Sequence, residues 1–98
     1  MTFEEIKNLD EQYVMHSYGR FPVAIDRGEG ATLWDVDGKE YIDFTAGIGV
    51  ASLGHGDQGW LEAVTRQAAK LAHISNLFYT EPYAKAAEKL CTRTGMSN

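Results

Sequence analysis

The side chains best suited to act as nucleophile, base or metal ligand are His16, His55, His73, Cys91 and the lysines, and their spacing decides what each could do. The three histidines lie far apart, with neither a second histidine nor a carboxylate at the i,i+3 or i,i+4 spacing that metal sites use, so structural roles are expected of them. Cys91 falls on the apolar face of a predicted helix, where a thiol behaves as a small inert hydrophobe. The lysines project from polar helix faces or from a hairpin end, surroundings that keep an ammonium group solvated and do not produce the depressed pKa of a Schiff-base lysine. Gly28-x-Gly30 and Gly47-x-Gly49 lack the third glycine and the strand-to-helix setting of a dinucleotide loop, and no Gly-Lys-Ser/Thr phosphate loop occurs. The expectation is that no catalytic, cofactor-binding or metal-binding residue lies in this stretch.

The elements that would position these groups follow from periodicity and turn chemistry. Thr2 and Glu5 have the spacing of a capping box, and Phe3, Ile6, Leu9 and Tyr13 recur at near-helical intervals, which predicts an amphipathic helix over residues 3 to 13. Phe21 to Ile25 has strand composition, with a reversal expected at Arg27-Gly28-Glu29-Gly30. Asp37-Gly38 between residues 31 to 36 and 39 to 44 predicts a hairpin with a two-residue loop. That register pairs Trp34 with Tyr41 and Leu33 with Ile42, gathers Ala31, Leu33, Ile42 and Phe44 on one face, stacks Trp34 on Tyr41 on the other, and sets Asp35 opposite Glu40. Thr45 to Gly56 holds four glycines and suits neither a regular helix nor a long strand. Asp57 is placed to cap a helix along Trp60, Leu61, Val64, Ala68 and Leu71, and Pro82 to open another that ends at Gly95. The fold class expected is therefore α+β: an N-terminal helix, a short antiparallel hairpin or meander, and two helices.

Composition narrows the function classes. The chain has 98 residues, 44% of them hydrophobic, and a net charge of −5 with the basic residues scattered, which argues against nucleic-acid binding. Its acidic start is unlike a signal peptide, no apolar run approaches the roughly 18 residues needed to span a bilayer, and a single cysteine fits a reducing cytosol. A cytoplasmic protein that is neither exported nor membrane-embedded is the expectation. A chain of this size buries only about 60% of its unfolded surface, so a covering partner or domain is expected too.

A collinear pattern adds what these local signals lack. Tyr13-Val14-Met15, Tyr18-Gly19-Arg20-Phe21-Pro22-Val23, Arg27-Gly28-Glu29-Gly30, Leu33-Trp34-Asp35, Asp37-Gly38-Lys39, Tyr41-Ile42-Asp43-Phe44, Ala46-Gly47-Ile48, Leu53-Gly54-His55 and Ser75 to Pro82 occur in an order and spacing that resembles the opening of class III aminotransferases, those of the acetylornithine type above all. The resemblance covers nearly the whole chain. It implies part of the small domain of a fold-type I homodimer, and the start of the connection to a large cofactor-binding domain. The activity implied is transfer of an amino group between N-acetylornithine and 2-oxoglutarate through pyridoxal 5'-phosphate, in arginine biosynthesis. Ornithine, succinylornithine or 4-aminobutyrate as donor, and a stand-alone oligomerisation module using the Trp34/Tyr41 face, are the other readings.

Three sets of site residues follow from the resemblance. Tyr18 matches a tyrosine near the substrate in ornithine-type relatives, where it either hydrogen-bonds a carboxylate or only packs. Ile48 stands where ornithine aminotransferases carry tyrosine, which implies a shape-selecting contact favouring acetylornithine or 4-aminobutyrate. Asn76, Leu77, Phe78 and Tyr79 resemble a segment that reaches the neighbouring subunit's active site, with ordinary interdomain packing as the other possibility. Gly56-Asp57-Gln58-Gly59 departs from the family's His-Pro after the Gly-His pair, so an altered turn into the helix is expected. The chain stops at Gly95-Met96-Ser97-Asn98, ahead of the family's phosphate loop, pyridinium aspartate, Schiff-base lysine and carboxylate-binding arginine; alone it is expected to be inactive and to bind no cofactor.

Overall fold

The computed structural model describes residues 1–97, which divide into two compact units, residues 1–64 and residues 65 onward. In the first unit, α1 (Phe3–Tyr13) starts as its capping box dictates: Thr2 Oγ1 accepts from Glu5 N at 3.3 Å, and Glu5 Oε2 accepts from Thr2 N at 2.8 Å. These two bonds satisfy donors that a helix start leaves unpaired. Of the apolar stripe Phe3 and Ile6 are half-buried, while Leu9 and Tyr13 are exposed.

Strands β1 (Ile25–Glu29), β2 (Thr32–Asp35) and β3 (Glu40–Ile42) form an antiparallel meander in that order. The first strand lies later than its composition suggests. Val23 N donates to Phe21 O across Pro22 at 2.8 Å, which keeps residues 21–24 out of the strand. Arg27, Gly28 and Glu29 are in the ladder, and the reversal falls at Gly30-Ala31, with Glu29 opposite Thr32. Arg27 lies opposite Trp34, with its guanidinium carbon 3.7 Å from the ring centroid, a cation–π contact across the strands.

The β2–β3 hairpin exists, but its register differs by one residue from the two-residue loop that Asp37-Gly38 suggests. Asp35 N donates to Lys39 O at 3.0 Å, so the loop is Val36-Asp37-Gly38, and only Gly38 of its residues takes positive φ, at 83°. This is the three-residue alternative, a turn closed by a left-handed glycine. Leu33 consequently pairs with Tyr41, Thr32 with Ile42 and Trp34 with Glu40. Because side chains alternate along a strand, the shift moves Tyr41 to the Leu33 face and away from Trp34. The expected Leu33/Ile42 face, the Trp34–Tyr41 stack and the Asp35–Glu40 repulsion are not formed. The Trp34/Tyr41 surface proposed for a stand-alone module is absent with them. Asp35 instead organises the turn, accepting from Asp37 N at 3.0 Å, Lys39 N at 2.8 Å and the Tyr41 hydroxyl at 2.7 Å.

Beyond β3, α2 (Ala46–Gly49) is a single turn of left-handed backbone: Ala46, Gly47, Ile48 and Gly49 have φ of 47°, 61°, 62° and 80°. α3 (Gln58–Lys70) opens at Asp57, whose carboxylate accepts from Trp60 N at 2.7 Å, so the altered Gly56-Asp57 sequence keeps a capped helix. In the second unit Ser75 to Thr80 is a connector turned at Ser75, whose carbonyl accepts from Phe78 N at 3.1 Å. α4 (Glu81–Thr94) carries Pro82 as its second residue and ends at Gly95 with φ 74°. Cys91 is half-buried, less enclosed than its apolar neighbours suggest. None of the described residues is buried, so the apolar faces of the sheet and helices stand uncovered.

Candidate functional site

The left-handed turn is built from Asp43. Its Oδ1 accepts from Thr45 N at 3.0 Å, Thr45 Oγ1 at 2.9 Å and Ala46 N at 2.9 Å, while Oδ2 lies 2.8 Å from His55 Nε2. An aspartate two residues ahead of Thr45 is suited to this, since its short side chain reaches the following amides as a backbone turn would. Asp43 N donates to Ala31 O at 2.8 Å, which ties the residue to the end of the sheet. The Asp43 side chain is only 7% exposed and that of His55 30%. The His55 hydrogen bond, followed by those from Ala46 N and the Thr45 hydroxyl, holds the Asp43 carboxyl down to about 2.

His55 is itself locked. Its backbone exchanges two hydrogen bonds with Gly30, His55 N to Gly30 O at 2.8 Å and Gly30 N to His55 O at 2.9 Å. Gly28 lies under the imidazole, where a Cβ would come within 2.7 Å of the ring Cγ. Gly54, at φ 83°, approaches so closely that its Cβ would sit 3.1 Å from the Gly30 backbone. The Gly28-Glu29-Gly30 and Gly54-His55 pieces of the sequence pattern are thus one contact, and Asp43 joins it to the turn.

The turn displays Ile48. At φ 62° and ψ 50° this β-branched residue occupies a region that costs an L-residue about 1–2 kcal/mol, with its side chain 95% exposed. Tyr18, 79% exposed, stands in the loop after α1, in a cleft with Asp10, Glu11, His16 and Arg20. Arg20 Nη1 donates to Asp10 Oδ2 there at 3.0 Å. Ile48 is not a wall of that cleft. In the second unit Asn76, Leu77, Phe78 and Tyr79 are all exposed, Tyr79 completely, and Asn76 lines a cleft with Leu71, His73, Thr80 and Tyr83. Ile48 is legible in the sequence as a site residue and His55 as a structural histidine, whereas Asp43, which joins them, is not; the available signal was the Asp-x-Thr spacing before a glycine-rich stretch.

The second anchored carboxylate, Asp35, is lowered below the usual carboxylate range by the Tyr41 hydroxyl, and Tyr41 is raised in return by Asp35. On α4 the Lys85 ammonium, 2.6 Å from Glu81, lowers that carboxyl and is raised by it.

The resemblance to class III aminotransferases implies pyridoxal phosphate, and among the described residues neither the turn nor Lys7, Lys39 and Lys85 fit it as anchors. Thr45, Ala46, Ile48, Gly49 and Ala51 all commit their N–H groups within the turn, leaving no such array for a phosphate. Lys7 and Lys85 face Glu11 and Glu81 on helix surfaces, and Lys39 lies over Tyr41 at 5.0 Å. Among the described residues no group of three or more His, Cys, Asp or Glu side chains could hold a metal ion, and no helix is long and apolar enough to cross a membrane.

Residues 13–98 match the aminotransferase class-III family, and the chain belongs to it. It is 51% identical over 96 residues to acetylornithine aminotransferase of Haemophilus ducreyi, covering 98% of this chain and 24% of that protein. The fold superimposes on acetylornithine aminotransferase from Elizabethkingia anophelis with a TM-score of 0.90 at 36% identity, over 97% of this chain and 25% of that one. Ornithine aminotransferase from Toxoplasma gondii, described with partial occupancy of pyridoxal phosphate at its active site, also gives 0.90, at 35% identity over 96% of this chain and 22% of that one. The chain spans about a quarter of the length of the curated relatives it matches.

Proposed function

We propose that this chain is part of a pyridoxal-phosphate-dependent aminotransferase that exchanges an amino group between N-acetylornithine and 2-oxoglutarate, within arginine biosynthesis in the cytoplasm. Residues 1–98 belong to its small domain and to the start of the connection to the large domain. The bound cofactor supplies the electron sink for transamination. The residues that anchor it lie elsewhere in the polypeptide, and the 98 residues alone turn over no substrate.

One observation carries the choice of donor: the left-handed turn presents an aliphatic side chain, Ile48, at 95% exposure. An isoleucine has no proton to give, so it selects by shape and by excluding water. Fold likeness does not separate the donors, because an acetylornithine and an ornithine aminotransferase superimpose equally well. The phenol of Tyr18 hydrogen-bonds the substrate carboxylate. Asn76 to Tyr79 reaches the active site of a second subunit in a homodimer, which accounts for Leu77, Phe78 and Tyr79 standing uncovered in a connector.

The test is to express the complete reading frame that contains this chain, load it with pyridoxal phosphate, and follow 2-oxoglutarate-dependent turnover of N-acetylornithine, ornithine and 4-aminobutyrate. The highest kcat/KM is expected for N-acetylornithine. A protein that turns over none of the three, or prefers free ornithine, contradicts the reading.

A further inference from the structure

An isoleucine held in left-handed backbone needs surroundings that over-determine it, because the strain is otherwise relieved by a turn of the chain. Those surroundings converge on one side chain. Asp43 spends one oxygen on the turn, through Thr45 and Ala46, and the other on His55, whose backbone is pinned to Gly30 and whose ring rests on Gly28. We propose that Asp43 is a positioning residue for donor selection: clamped by His55 against the Gly28–Gly30 edge of the sheet, it sets where Ile48 stands. The assignment rests on the reading of Ile48 as a donor-side contact.

The chemistry of the pair explains why a carboxylate suits the task. A carboxylate accepts only, so it takes a hydrogen bond from Nε2 of a protonated imidazole and equally from a neutral one with its proton on Nε2. The clamp therefore holds with the ring in either form. Among the described residues the nearby charged groups are turned away or otherwise engaged. Arg27 and Glu29 alternate with Gly28 and so point away from the ring, Asp35 is engaged by Tyr41, and Asp57 caps α3. Arg20 lines the same cleft as Asp43 but is paired with Asp10.

Asparagine is the discriminating replacement. In Asp43→Asn the amide oxygen can still accept from Thr45 N and Ala46 N, while the amide nitrogen can donate to Nε2 only when the imidazole is neutral. When the ring also carries a proton on Nε2, two donors face each other. The clamp then opens, or the amide flips and aims its NH2 at the turn's own N–H groups. A pH dependence absent from the wild type should appear.

The measurement is the ratio of kcat/KM for N-acetylornithine over ornithine between pH 5.5 and 8.5, on the full-length holoenzyme, for wild type, Asp43→Asn and Ile48→Tyr. The δ1-methyl resonance of Ile48 in isoleucine-labelled protein gives a readout besides turnover. Expected are a pH-independent ratio in the wild type and, in Asp43→Asn, a near wild-type ratio at pH 8.5 that falls about tenfold by pH 5.5, with the methyl resonance moving over the same range. An Asp43→Asn ratio that tracks the wild type at every pH, or a loss equal for both donors, overturns the proposal. If Ile48→Tyr shifts the ratio while Asp43→Asn does not, the clamp alone is wrong; if Ile48→Tyr leaves the ratio unchanged, the donor reading falls and the clamp's role in selection falls with it.

Discussion

Gly28 lies directly beneath the imidazole of His55, so close that a Cβ there would meet Cγ at 2.7 Å and Cβ of the histidine at 2.9 Å, with Leu33 Cδ2 also at 2.9 Å. Gly28 needs no special backbone angle; what it supplies is room.

Gly28→Ala is therefore expected to act by overpacking, destabilising the protein by about 1–3 kcal/mol, because the ring is tied to Asp43 and its backbone to Gly30 and neither yields easily. Matched denaturation curves of variant and wild type check this. A stability change within experimental error would show that the histidine can move aside.

Gly38 presents the opposite physics. Nothing lies within 4 Å of a Cβ built there, but φ is 83°. Gly38→Ala should cost about 1–2 kcal/mol through backbone strain alone, and Gly38→Asn less, since asparagine tolerates left-handed backbone. Equal losses for the two replacements would point to a side-chain clash in place of strain.

Acid stability should separate the two anchored carboxylates. Asp35 and Asp43 both have folded pKa values below that of an ordinary aspartate, Asp43 at about 2, so each contributes stability that is complete above the unfolded pKa and is lost as pH falls toward the folded one. Tyr41→Phe removes the largest cause of the Asp35 shift, the hydroxyl at 2.7 Å, and leaves Asp43 alone. Stability of Tyr41→Phe should thus fall less steeply than wild type as the pH drops below 4, in a denaturation series from pH 6 to pH 2. The raised pKa of Tyr41 works the other way, its contribution being present below pH 10 and lost as pH rises through the folded value. Parallel acid profiles would show that the Tyr41–Asp35 bond adds nothing in solution.

What was legible in the sequence was local. The Thr2/Glu5 capping box, the Asp57 cap and the Gly95 stop act over three or four residues and appear as expected. The hairpin was legible, its register was not, because Asp37-Gly38 suits both a two-residue loop and a three-residue loop closed by one left-handed glycine. One residue of slip moved Tyr41 off the Trp34 face. The left-handed turn was visible only as an excess of glycine, since the group that holds Asp43 in place, His55, lies twelve residues away in sequence. The family, by contrast, was legible from the order of short motifs, several of which the structure draws together around Gly28, Gly30, Asp43, Gly54 and His55.

In the proposed function Ile48, displayed on its strained turn, meets the amino donor. The most direct measurement is kcat/KM for N-acetylornithine and for ornithine in the full-length holoenzyme, wild type against Ile48→Tyr. The tyrosine is expected to lower the value for N-acetylornithine and to raise the relative use of ornithine, shifting their ratio at least tenfold. An unchanged ratio would contradict it.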